Sequence, residues 1–246
     1  MGLGWRGLDP RTSCTVTPLT IAVVAEDGLA EMNVRLVGTP IAQEGGSTLR
    51  WIDRLPFKEI GKLHHGAFGK TRRYHGTRNG TADEVIVRKA VDVLEQGARP
   101  DVVVIARDLD RVSDRLTSLL EGARKARPDG TVVIAAMQPE AEAWRICAFR
   151  PKTAAERTLH EATKKTLAFD PVREPERLSS ASNTDRTRDS KWVHRELFNG
   201  DIERSHAALQ RPIAELRIVA PLCGLPRFID HFATALASAA TSATAN

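Results

Sequence analysis

Long hydrophobic runs are missing from this chain. Nowhere do about 18 apolar residues stand together, and the opening Met1-Gly2-Leu3-Gly4-Trp5-Arg6 lacks the apolar stretch of an export signal. A cytoplasmic protein is therefore expected. Cysteine is scarce: Cys14, Cys147 and Cys223 lie far apart with no paired spacing, which argues against a zinc ribbon or disulfide framework and for reduced, structural thiols. Internal repeats are absent too. So are several catalytic signatures. There is no Gly-x-Ser-x-Gly elbow, and His160-Glu161 has no second His at metalloprotease spacing. The stretch Gly66-Ala67-Phe68-Gly69-Lys70-Thr71 fails as a P-loop, because His64 stands where the first Gly belongs and no clear strand precedes it.

What remains is 246 residues, 41% of them hydrophobic, enough for a sizeable core. The net charge of +5 favours polyanionic partners without establishing nucleic-acid binding. Residues 1–19 show no periodicity and are expected to form a loose leader. Residues 20–25 form a β-branched run suited to a strand covered on both faces, and residues 29–37 a short helix ended by Gly38. Residues 47–55 alternate weakly, as a strand would, and residues 60–80 are a Gly/His/basic loop. Thr81-Ala82-Asp83-Glu84 has capping-box spacing for a helix to about Gly97. Strand 102–106, a helix carrying Val112, Leu116, Leu119, Leu120 and Ala123, the Pro128-Asp129-Gly130 turn and strand 131–137 follow.

This alternation predicts an α/β fold: a mostly parallel, Rossmann-like sheet flanked by helices over residues 20–150. Residues 151–236 are expected to form a mainly helical extension packing on that core, with a helix near 225–236, and residues 237–246 a disordered Ala/Ser/Thr tail.

Acidic residues close two of the predicted strands. Glu26 ends the first, and Asp108 and Asp110 follow the strand at 102–106. In a parallel sheet these ends share the edge outside which ligands bind, and carboxylates crowded there repel one another unless a divalent cation sits between them. Asp108 and Asp110, two residues apart, would lie on one side of an extended segment. Alternatively, either could simply cap the helix that follows.

The run Val-Val-Ala-Glu26-Asp27-Gly28, with Asp108-Leu109-Asp110 after an apolar strand, resembles the TOPRIM fold of topoisomerases, primases and OLD-type nucleases. Further stretches are similar to small stand-alone TOPRIM-like proteins of bacterial defence loci. They are Met137-Gln-Pro-Glu140-Ala-Glu142-Ala-Trp144, Phe169-Asp-Pro with Pro175-Glu-Arg-Leu, and Cys223-Gly-Leu-Pro-Arg-Phe, so the resemblance covers roughly residues 20–236. It implies a metal-dependent phosphodiesterase acting on nucleic acid, an endonuclease in a defence or mobile-element setting, with an ATPase encoded nearby as partner. Glu26 would be general base or metal ligand, and Asp108 and Asp110 would hold Mg²⁺ or Mn²⁺. Glu142 would be a fourth carboxylate, with Glu140 competing for the role, and Lys191 would neutralise phosphate charge. Asp27 departs from the family pattern, in which Gly directly follows the Glu.

Around the acids, Arg107, Arg111 and Arg115 are placed to reach a bound phosphate or to pair with neighbouring Asp residues. The basic stretch with Lys70, Arg72, Arg73 and Arg78, mixed with Phe68 and Tyr74, suits a segment that tracks a phosphate backbone; it suits equally a solvated loop. Two alternatives to the nuclease stand beside it: a non-catalytic module binding nucleic acid or a partner, and a phosphohydrolase acting on a small phosphorylated ligand.

Overall fold

The computed structural model describes residues 17–57, 59–60, 81–110, 112, 114–180 and 186–245. Five parallel-paired strands form one sheet: β1 (Leu19–Ala25), β2 (Leu49–Trp51), β3 (Leu55–Pro56), β4 (Val102–Asp108) and β5 (Val132–Met137). The order is β2-β1-β4-β5, with β3 pairing β1 beyond β2 on the same edge. The fold is thus α/β, as expected.

Strand alternation divides the core in two. Ala22, Val24, Val103, Ile105, Ile134 and Ala136 pack on one face against α2 (Thr81–Gln96) and α3 (Arg115–Ala126). Ile21, Val23, Ala25, Val104, Ala106, Ala135 and Met137 face the opposite way. There they meet α1 (Gly28–Glu44), α4 (Glu142–Cys147) and the helical extension. The extension comprises α5 (Ala154–Leu167), α6 (Ser190–Phe198), α7 (Ile202–Leu209), α8 (Ile213–Leu216) and α9 (Leu225–Ala245). Leu167, Leu197, Leu209, Leu216 and Phe228 join the sheet in one continuous core.

Four expectations change. First, α1 does not stop at Gly38 but runs to Glu44, with Pro40 inside it. Gly38 serves packing instead, since a Cβ there would stand 3.0 Å from Phe232 and from Trp51. Second, the weak strand at 47–55 is two short pieces. Third, Val112 lies ahead of α3 rather than on its buried stripe, and it is exposed. Fourth, the tail at 237–245 is helix. Alanine favours helix, Ala239 is buried, and Thr241 and Ser242 donate to the carbonyls of Ala237 and Ser238 four residues back.

The sequence spacing also concealed one neighbourhood. Cys147 and Cys223, free and buried, bring their sulfurs to 3.2 Å. Among the described residues no helix is long and apolar enough to cross a membrane.

Candidate functional site: two charged clusters on one sheet edge

The register of β1 on β4 sets the site. Ala25 pairs with Ala106, so the next residues along, Glu26 and Arg107, leave the sheet together on the α2/α3 side. One step further, Asp27 and Asp108 turn to the side of α1 and α4, because successive side chains alternate between faces. The acidic ends of the two strands therefore feed two clusters rather than one.

On the α2/α3 side, the Arg107 guanidinium forms an ion pair with Glu26, lies 3.6 Å from Asp83 and stacks on the Phe57 ring at 5.0 Å. Arg115 bonds Asp83 at 3.2 Å and Asp110 at 2.8 Å, and donates to the Asp108 carbonyl at 2.9 Å. Burial lowers the Arg107 pKa, helped by the charge of Arg115, and burial raises that of Asp83. The cluster is nearly balanced in charge.

On the other side the balance is different. Asp108 ends β4 with its Oδ1 buried and without a hydrogen-bond partner. Burial, then the negative charges of Glu142, Asp27, Glu140 and Asp110, push its carboxyl up to about 8. Glu142, the first residue of α4, is buried, and burial raises it as well, with Glu140 and Asp27 adding to the rise. Glu140 is buried and accepts the Ser190 hydroxyl. Lys191, in the first turn of α6, faces this group, and the charges of Arg145 and Arg107 also act on Glu142 and Asp108. Burial alone would lower its ammonium, but Glu140, Glu142, Asp189 and Asp108 outweigh that and raise it.

Local structure explains the placements. Asp27 caps α1, accepting from the Ala30 amide at 2.9 Å. After Asp108 the chain leaves the extended conformation, and Asp110 takes a left-handed backbone with φ +47°. Its carboxylate consequently turns to Arg115 rather than lying beside that of Asp108. Neither Asp starts the following helix, which begins at Arg115 behind Asp114. Leu109 and Asp110 donate amides to the carbonyls of Met137 and Pro139, tying the exit of β4 to that of β5 and so to Glu140 and Glu142.

Behind α4 lies a buried polar network that the sequence reading missed. Asn33 of α1 donates to the Ala141 carbonyl at 2.8 Å and accepts from Arg145 Nε at 2.8 Å; Arg145 Nη1 donates to Ser205 Oγ at 2.9 Å. Ser205 in turn meets His194 Nε2 at 2.7 Å, and burial, with the charges of Arg145 and His206, lowers His194 to about 4. With His194 neutral, the Ser205 hydroxyl can donate to its ring while accepting from Arg145. Asn33 falls within the apolar stripe Ala30, Val34, Val37, Ile41, and that interruption was the available signal.

Comparison with known proteins finds no matching family model, no matching curated protein and no matching solved structure.

The donor set around Asp108 is all carboxylate, the chemistry that hard divalent cations such as Mg²⁺ and Mn²⁺ select. The orphaned Asp108 oxygen and the clustering of carboxylates around it fit such an ion. Among the described residues no three His, Cys, Asp or Glu side chains already stand at ligand spacing, so the carboxylates would have to close in on a cation. Lys70, Arg72, Arg73, Arg78 and Arg111 lie outside the described residues.

Proposed function

We propose that the protein is a metal-dependent phosphodiesterase acting on nucleic acid, most simply an endonuclease, centred on Asp108. The observation carrying this reading is the buried, unbonded Asp108 oxygen amid the charges of Asp27, Glu140, Glu142 and Asp110. The motif resemblance to TOPRIM proteins, with the net positive charge, supports nucleic acid as substrate. Asp108, Glu142 and Asp27 would hold Mg²⁺ or Mn²⁺, with Glu140 behind them on Ser190. The bound ion would supply Lewis-acid polarisation of the phosphodiester and a more acidic water. Lys191 would offset phosphate charge. Arg115, joined to both Asp110 and the Asp108 carbonyl, would orient the loop. An ATPase partner rests on the resemblance alone and belongs to the same proposal.

A second reading, a non-catalytic module that binds nucleic acid, draws on Glu26: its carboxylate is occupied by Arg107 instead of facing Asp108. Cleavage of plasmid DNA and structured RNA with Mg²⁺ or Mn²⁺ separates the two. Loss of cutting in Asp108→Ala and in EDTA is the result the nuclease reading requires. Folded wild-type protein that binds nucleic acid without cutting it favours the module. Binding that weakens little with salt would point instead to a small phosphorylated ligand.

A further inference from the structure

A cavity of about 550 Å³ opens where the chain leaves α4, lined by Cys147, Phe149, Arg150, Val172, Arg173 and Arg211 together with the segment following α8. Its size falls within the usual range of small-molecule sites. Its contents are mixed in a particular way. Arg150, Arg173 and Arg211 share the lining with a single carboxylate, Glu215. One oxygen of that carboxylate, Oε2, accepts from Arg211 Nε at 3.1 Å, Arg211 Nη2 at 2.7 Å and Arg150 Nη1 at 2.8 Å. Arg211 is also anchored to the Ala148 carbonyl at 2.8 Å, so it belongs to the wall. Arg150 and Arg173 stand at the rim with side chains 60% and 85% exposed, and Arg173 reaches Asp170 only at 3.8 Å. Between them the surface is apolar: Val172, Val219 and Pro221 line the cavity, and Ile218 is 79% exposed beside it.

A guanidinium-rich rim over an apolar wall suits a molecule with both characters. Guanidinium binds phosphate or carboxylate through two parallel N–H bonds and also stacks on flat rings. Apolar wall supplies affinity in proportion to the area it removes from water.

We propose that this cavity binds a small organic anion, a phosphate or carboxylate carried on a flat apolar body, with Arg150 and Arg173 receiving the head group and Val172, Val219 and Pro221 the body. It lies at the opposite end of α4 from Glu142, a helix about 9 Å long. It is therefore a site separate from the Asp108 cluster and independent of the nuclease reading.

The test uses 8-anilinonaphthalene-1-sulfonate, an aromatic anion that fluoresces when taken out of water, titrated into the full chain. Expected is a single site per chain. Arg173→Glu, at an exposed position, should raise the dye's Kd at least tenfold, and Val219→Trp, which fills the cavity, should abolish binding. Circular dichroism and the melting temperature verify that both variants fold. Displacement by millimolar phenyl phosphate or by benzoate identifies the head group preferred, and either supports the site. A dye Kd unchanged by Arg173→Glu, dye binding retained by folded Val219→Trp, or dye that neither competitor displaces would overturn it.

Discussion

The guanidinium of Arg107 holds the carboxylate of Glu26 across the β1–β4 pair, one residue beyond the matched Ala25 and Ala106. Both side chains are largely shielded from solvent, and Arg107 also serves Asp83. Arg107→Gln should therefore cost roughly 2–3 kcal/mol, somewhat below the penalty for breaking a fully buried pair. Urea denaturation of Arg107→Gln, Glu26→Gln and the double variant measures the coupling. Additive losses would mean that the pair contributes nothing of its own.

Asp108 makes stability depend on pH in an unusual direction for a carboxylate. Its folded pKa, about 8, lies above the ordinary 3.8. The folded state thus keeps a proton that the unfolded chain has released, and the stability this gives is fully present below about 3.8 and lost as pH rises through about 8. Asp108→Asn removes the penalty. The variant should melt progressively higher than wild type between pH 4 and 8, whereas a constant offset would contradict the assignment. At pH 9, where Asp108 is ionised, millimolar Mg²⁺ should raise the wild-type melting temperature and leave Asp108→Asn unmoved.

Arg145 is the buried cation that ties α4 to α1 and α7. Replacing it with Met keeps apolar bulk but strands the Asn33 oxygen, leaves Ser205 with one partner fewer and removes a charge that faces Glu142. A loss of about 2–4 kcal/mol follows from the unsatisfied groups. Because Arg145 positions α4, any metal-dependent cutting should also shift to higher Mg²⁺ concentration. A Mg²⁺ optimum identical to wild type would limit Arg145 to a structural part.

Gly122 is where α3 crosses α2. A Cβ there would meet the Glu84 carbonyl oxygen at 2.8 Å and Val87 Cβ at 2.9 Å, both on α2. Gly122→Ala should destabilise by about 1–3 kcal/mol despite alanine's better helix propensity. A gain in denaturation midpoint would show that the helices can separate without cost.

The strands and their order of chemistry could be read from the sequence because fully buried strands leave uninterrupted runs such as Val102–Ile105. The acidic ends were legible for the same reason. Their pairing was not. Which acid joins which cluster depends on register, and a shift of one residue moves a side chain to the opposite face. Asp27 reads along the chain as an intruder between Glu26 and Gly28, but in register it is the residue that turns toward Asp108. Glu140 and Glu142 came into view through their position after β5, whereas Asp83, 25 positions before Asp108, meets the Arg107 and Arg115 side chains only through the packing of α2 on α3. Gly38 misled for a related reason: the chain's local stop signal answers instead to a close approach from Phe232, far along the sequence.

The helix α9 covers the sheet face opposite α2 and α3, where Phe228, Phe232 and Leu236 share a core with β1 and β4. It begins at Leu225, some 200 residues after β1. At ribosomal speeds of about 5–20 residues per second, β1 and the acids that follow it would emerge roughly 10–40 s before α9 is made. Until then that apolar face is covered by α1 and α4 but lacks the aromatic side chains that α9 brings to it. The half of the core that α9 shares with β1 and β4 is thus completed only at the end of synthesis.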